Sequence, residues 1–268
     1  MKKVIAIVLS LVLCLGLFAG CGKTDDAKVI KVAASPTPHA LILKTVADIL
    51  AEDGWTLEVI EYADYVIPNN VVEDGEIDAN YFQHVPYLST FNAENGTHLV
   101  SVAMVHYEPF GIYAGTKSAI ADLAEGDKIA IPNDGSNRAR ALLLLEQEGL
   151  IKLKEGAGIL ATKADIVENP LNLDIYEANA ELLTSVLQDV DMAVINGNYA
   201  IDAGMKIADA LAVEAADGTA AEAYVNIVTV MEGKENDAKI KALVKALTSA
   251  EAKAFMEETY AGAVVPLF

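Results

Sequence analysis

The sequence predicts an α/β protein of two lobes, and three observations carry that prediction. From residue 29 onward, short runs rich in Val, Ile and Thr alternate with stretches of helical periodicity, the pattern of largely parallel sheets covered by helices. The alternation is punctuated at His106-Tyr107-Glu108-Pro109, where a proline and the following Gly111 break the chain before a second set of strands. A strand beginning at Tyr224 is followed by two amphipathic helices whose apolar faces need a sheet to cover, and the first set provides one. The result is two lobes joined by two crossings, residues 29–107 with 224–268 and residues 108–223. One continuous doubly wound sheet is the alternative that alternation alone leaves open.

The elements follow in order. Residues 29–33 read as a strand, 40–53 as a helix and 56–61 as a strand of alternating character. Residues 65–73 and 86–95 read as helices around a short strand at 79–82, the second opened by Pro86, and 99–105 completes the first set. In the second set, 112–114, 129–131, 173–176 and 192–195 are strands, with 138–148 and 180–187 as helices. The returning strand is 224–230, and the closing helices are 238–247 and 251–260. No repeat of solenoid or propeller period and no low-complexity tract interrupts this order.

The N-terminus is a targeting segment. Lys2-Lys3 precede an uncharged run to Phe18, and small residues Ala19-Gly20 stand immediately before Cys21. The run is shorter than the ~20 apolar residues a spanning helix needs. Residues 1–20 are therefore expected to be removed as a signal peptide. Leu17-Phe18-Ala19-Gly20-Cys21 resembles a lipobox, at which the cysteine thiol is acylated and the chain is cut, although Phe18 stands where Leu is usual. Residues 21–28 then form the lipidated cysteine and a short polar tether. The only other cysteine, Cys14, lies in the discarded part, so no disulfide forms within the mature chain and the core alone must hold the fold.

Loss of Lys2 and Lys3 leaves 17 basic residues against 39 acidic ones, a net charge of about −22. Nucleic acid is excluded as a partner by sign. An acidic surface also gives no attraction to anionic lipid, so membrane association falls to the anchor.

The basic residues include two arginines, Arg138 and Arg140, both after the loop Asp134-Gly135-Ser136-Asn137. Ser136 or Asn137 is the expected N-cap of the helix that follows, which puts both arginines in its first turn. That end of a helix favours anions, so free N–H groups and a guanidinium fork together predict a carboxylate or phosphate site. Pairing of one or both with surface acids such as Asp134 is the alternative. Aromatic residues give a second constellation. Nine of the 16 mature aromatics fall between residues 62 and 113, and the dense stretch Tyr81-Phe82-Gln83-His84-Val85-Pro86-Tyr87 predicts an apolar wall with a few polar groups. Strand alternation allows only one of Tyr81 and Phe82 to face a ligand. A third set is amide: Asn196-Gly197-Asn198 follows a strand, and Asn226 stands in an otherwise apolar one, where its amide must find a partner.

Motifs of catalysis are absent from the sequence, with no nucleophile elbow, P-loop, dinucleotide fingerprint or zincin helix. His39, His84, His98 and His106 lack metal-ligand spacing. Neither a catalytic residue, a metal nor a cofactor is expected.

Seven segments carry a family resemblance. They are Ser35-Pro36-Thr37-Pro38-His39, Glu61-Tyr62-Ala63-Asp64-Tyr65-Val66, residues 74–88, Val105-His106-Tyr107-Glu108-Pro109, Ile131-Pro132-Asn133-Asp134, Glu168-Asn169-Pro170 and residues 193–200. Over residues 29–268 the chain resembles the methionine-binding lipoproteins of bacterial ATP-driven importers. The resemblance implies a two-lobed clamshell of the periplasmic-binding-protein type, its lobes joined by two crossover segments, with an amino acid held between them. It implies that Tyr65, Phe82, His84 and Tyr87 line a side-chain pocket, that Arg140 meets the ligand carboxylate, and that Asn198 and Asn226, with Asn196 beside them, meet its polar end. Ala139 replaces the usual glycine before Arg140, and Arg138 is an added neighbour. Methionine, a membrane permease and its ATPase are the implied partners; a methionine-containing dipeptide, another apolar amino acid, or an anchored enzyme acting on such molecules are the alternatives. A thioether against aromatic rings gains roughly 0.3–1.5 kcal/mol, which suits the aromatic stretch.

Overall fold

The computed structural model describes residues 28–215 and 222–268. The expected signal peptide, Cys21 and all but the last residue of the expected tether lie outside the described residues.

Among the described residues the chain builds two main sheets. It opens with β1 (Val29–Ala34), α1 (Leu41–Thr45), α2 (Ala47–Glu52) and β2 (Thr56–Glu61). There follow α3 (Ile67–Glu73), β3 (Ala79–His84), α4 (Val85–Asn95) and β4 (Leu99–Tyr107). After the first crossing come β5 (Gly111–Ala114), β6 (Lys128–Pro132), α5 (Gly135–Gln147), and a small hairpin of β7 (Lys152–Leu153) and β8 (Ile166–Glu168). Next are β9 (Asp174–Ala178), β10 (Met192–Ile195), α6 (Gly197–Asp202) and β11 (Ala212–Val213). The return consists of β12 (Asn226–Met231), α7 (Ala238–Leu247), α8 (Ala250–Tyr260) and β13 (Val265–Pro266).

One sheet has the order β2-β1-β3-β12-β4-β13 and the other β9-β6-β10-β5-β11. Parallel pairing of β1 with β2 and β3, and of β6 with β9 and β10, is what helical crossovers require. Both sheets are nevertheless mixed. The strand entered directly after each crossing, β5 in one sheet and β12 in the other, runs antiparallel to its neighbours. A chain arriving from the other sheet enters from the opposite end, so this reversal follows from the crossings.

Each sheet has its own core. Ile30, Val32, Tyr81 and Val228 pack with Ile240, Leu243 and Leu247 of α7 and Met256 of α8. Ile129, Ile131 and Val194 pack with Leu142 and Leu145 of α5. The spacing of Ile240, Leu243 and Leu247 is the apolar stripe of an amphipathic helix. A third cluster, including Tyr65, Phe82, Tyr87, Tyr199 and Ile195, draws residues from both halves and lies where they meet.

Three local expectations are corrected. The helix expected over 40–53 is two helices broken at Val46 (φ −94°, ψ 4°), where Thr45 Oγ1 donates back to Leu41 O at 3.0 Å, a bond that bends helices. The helix expected over 180–187 is replaced by 3₁₀ turns at Ala180–Leu182 and Leu187–Asp189. There Asn179 spends its side chain on Asn133 and Glu181 and gives no cap, while Ser185 Oγ donates to Leu182 O at 2.7 Å. Finally, the cap of α5 is Asp134 and not Ser136 or Asn137: its carboxylate accepts from Asn137 N at 2.9 Å. The stronger acceptor starts the helix earlier, so Arg140 sits one turn deeper than expected.

Candidate ligand-binding site

A pocket lies between the two sheets. All eight sequence-predicted site residues line it: Tyr65, Phe82, His84, Tyr87, Arg140, Asn196, Asn198 and Asn226. Gln83, Glu108, Asn137 and Gly197 complete the wall. Arg138 lies outside it and pairs with Glu177 at 3.6 Å.

The aromatic side is set by β3 and the start of α4. Alternation along β3 turns Phe82 into the cavity wall and Tyr81 into the core of the first sheet, where its hydroxyl bonds His106 Nδ1. His84 ends the strand and caps α4, its Nδ1 accepting from Tyr87 N at 3.2 Å. That bond leaves Nε2 to donate to Asn137 Oδ1 at 3.2 Å. Burial, and then the nearby Arg140 charge, pull His84 down to a pKa of about 3, so the ring is neutral. Tyr65, Phe82 and Tyr87 meet edge-on or tilted with centroids 5.6–5.9 Å apart, the geometry ring quadrupoles favour.

The second half supplies Arg140, Asn137, Asn196 and Asn198 to the polar part of the wall, and the returning strand of the first half supplies Asn226. α5 delivers Arg140, whose Nε donates to Glu214 Oε2 at 2.8 Å and whose Nη2 donates to Glu214 Oε1 and to Glu108 O. Burial works against this charge, but the Glu214 carboxylate outweighs it and holds Arg140 firmly protonated. The expected pairing of an arginine with an acid is thus found, with a buried partner distant in sequence. Asn137 Oδ1 accepts from both His84 and Asn196 Nδ2, the latter at 3.0 Å, while its own amide nitrogen is held by Asp134. Among the described residues Asn196 Oδ1 is buried without a hydrogen-bond partner. Asn226 Oδ1 bonds His39 Nε2 at 2.9 Å, which gives the amide in the apolar strand its partner.

Glu108, in the first crossing, is the charged wall residue that the sequence reasoning did not assign to the site. Its motif was visible, but nothing in an acid-rich sequence distinguished this carboxylate. It is buried, bonds His106 Nε2 at 2.7 Å, and accepts from the backbone of Asn198 at the start of α6. Burial raises its pKa, while His39 and Arg140 pull it down. A Cβ on Gly197 would lie 2.8 Å from Glu108 Cβ, so only glycine lets the helix approach this side chain. His39, His106 and Glu108 also bring three potential metal-ligating atoms within 4.8 Å, a grouping that sequence spacing did not suggest. Both nitrogens of His106 are already bonded, to Tyr81 and Glu108, so a cation would have to displace those bonds.

A pocket between two α/β lobes, lined by a fixed cation, a carboxylate, amides and aromatic rings, defines a binding protein of the periplasmic clamshell class. The NlpA lipoprotein family matches residues 30–268, and the chain belongs to that family. It is 41% identical to the methionine-binding lipoprotein MetQ of Bacillus subtilis, with 100% of this chain and 99% of that one aligned. A solved structure from Ruminococcus gnavus, 57% identical, superposes with a TM-score of 0.89 over 90% of this chain and 100% of that one. A nutrient-binding protein of Burkholderia cenocepacia, solved bound to methionine, is 40% identical, with a TM-score of 0.85 over 89% of this chain and 100% of that one.

Proposed function

We propose that this chain is the lipid-anchored substrate-binding subunit of an ATP-driven importer and that it carries methionine to a membrane permease and its ATPase. The observation that carries this reading is the gathering of Arg140, Glu108, side-chain amides and aromatic rings around one pocket. That cavity suits a zwitterion with an apolar side chain. Arg140 receives the ligand carboxylate together with Asn198. Glu108 and the unpartnered Asn196 Oδ1 receive the ammonium, and Asn226 lies beside them. Tyr65, Phe82, His84 and Tyr87 enclose the thioether. Methionine-binding relatives and the methionine-bound structural neighbour support this choice of ligand.

Residues 29–107 with 224–268 form one lobe and 108–223 the other, and closure about the two crossings excludes water from the ligand. The work done is binding and release, not bond chemistry. Cleavage after Gly20 and acylation of Cys21 hold the exported protein at the membrane. Among the described residues no helix is long and apolar enough to cross a membrane.

Titration calorimetry with methionine tests the assignment. The wild-type chain binds stoichiometrically, and Arg140→Ala loses about 1.5–3 kcal/mol of affinity, the worth of a hydrogen bond to a charged group. Unchanged affinity in that variant removes Arg140 from the site, and turnover of the ligand would replace this reading with an enzymatic one.

A further inference from the structure

We propose that Glu214 is a positioning residue for the ligand: it sets the orientation in which Arg140 faces the cavity and ties that orientation to the first crossing. The proposal rests on the reading of Arg140 as the carboxylate partner.

Glu214 follows β11 and is 9% exposed, and it does not line the cavity. Its Oε2 takes Arg140 Nε at 2.8 Å and its Oε1 takes Arg140 Nη2, a two-point fork that fixes the guanidinium plane. The ring centroid of Tyr224 lies 4.3 Å and that of Phe110 4.8 Å from the guanidinium carbon, so aromatic rings pack on the group as well as the fork that holds it. The bonds found on Arg140 use Nε and Nη2. The remaining nitrogen, Nη1, is the one left for an incoming carboxylate.

The same carboxylate is anchored to the crossing. Oε1 accepts from Tyr107 Oη at 2.5 Å and from Phe110 N at 3.0 Å, while Glu214 N donates back to Phe110 O at 3.0 Å. Residues 107–110 are where the chain leaves the first sheet, so any hinge rotation that moves them moves the Glu214 carboxylate and with it the guanidinium. Without its fork, Arg140 keeps its charge but loses the constraint that aims it.

The test compares methionine with methioninol, which lacks the carboxylate, by calorimetry on the full mature chain. Arg140→Ala is expected to reduce the preference for methionine over methioninol by roughly ten- to a hundredfold. Glu214→Gln is expected to reduce it by roughly tenfold, since the amide places a donor against the Arg140 fork. The double variant should show no further reduction beyond Arg140→Ala alone. Glu214→Asp, which keeps the charge but shortens the reach, should fall between wild type and Glu214→Gln, and it reads the effect if the Gln variant does not fold. A wild-type preference in Glu214→Gln or Glu214→Asp, or additive losses in the double variant, overturns the proposal. A wild-type preference in Arg140→Ala refutes the carboxylate assignment itself, an outcome distinct from failure at Glu214 alone.

Discussion

Tyr65 donates its hydroxyl proton to Asn198 Oδ1 at 2.5 Å, joining the loop before α3 to the first turn of α6 between two residues of the pocket wall. Beside it Tyr199 Oη donates to Ala63 O at 2.7 Å, and the two tyrosine rings lie 5.0 Å apart. The halves are thus latched in both directions by neighbouring residues.

If these bonds hold the closed form, Tyr65→Phe and Tyr199→Phe should each weaken methionine binding by about 0.5–1.5 kcal/mol, the net worth of one hydrogen bond. The loss should appear mainly in the dissociation rate. Stopped-flow release of bound methionine from the double variant at the wild-type rate would show that the latch does not govern closure.

Gly197→Ala forces a methyl group to within 3.0 Å of Glu108 Oε2 and 3.3 Å of Pro109 O. Overpacking of this kind costs about 1–3 kcal/mol. Because the clash separates α6 from Glu108, methionine affinity should fall by a comparable amount. Calorimetry giving a wild-type dissociation constant would mean that the contact relaxes without disturbing the site.

The limits of the sequence reading have physical causes. β1 and β10 were legible because a buried strand is a short run of apolar residues, β2 because its polar and apolar residues alternate, and α7 because its stripe repeats with helical period. α6, β11 and β13 were not expected: α6 is a helix of only six residues, less than two turns, and each of the strands has only two, too short to establish a period. In the site, Phe82, His84 and Tyr87 were marked by local density, and Arg140 by the scarcity of arginine. Glu108 and Glu214 carried no such mark, since their importance comes from burial and from partners far away in sequence.

Acid should destabilise the fold. Burial lowers His39 to about 4, where the Glu108 charge resists, and lowers His84 and His106 to about 3. All three are neutral when folded, whereas the unfolded chain protonates them near pH ~6.5. Their contribution to stability is therefore complete above pH ~6.5 and is lost progressively as pH falls toward 4. Burial raises Glu108 and Asp134, which act in the opposite sense because their protonated forms suit the fold. With three histidines against two carboxylates, the melting temperature should drop between pH 7 and 4.5. Calorimetric scans showing a flat or rising melting temperature over that interval would contradict this account.

Replacing the proposed acylation site, Cys21→Ser, should release the protein from membranes while leaving methionine binding intact. Fractionation followed by calorimetry on the soluble pool checks both halves. Variant protein still sedimenting with membranes after a salt wash would end the anchor assignment and leave the binding assignment untouched.

The position of β12 imposes an order on assembly. It lies between β3 and β4 in its sheet, yet it follows every strand of the other sheet in sequence. As the chain emerges from its N-terminus, β5 to β11 can complete their sheet from one continuous stretch. β3 and β4 must wait as open edges, the kind of backbone that invites pairing between chains. Maturation therefore hinges on the late arrival of one six-residue strand, and chaperones that guard this protein would meet the unfinished first sheet.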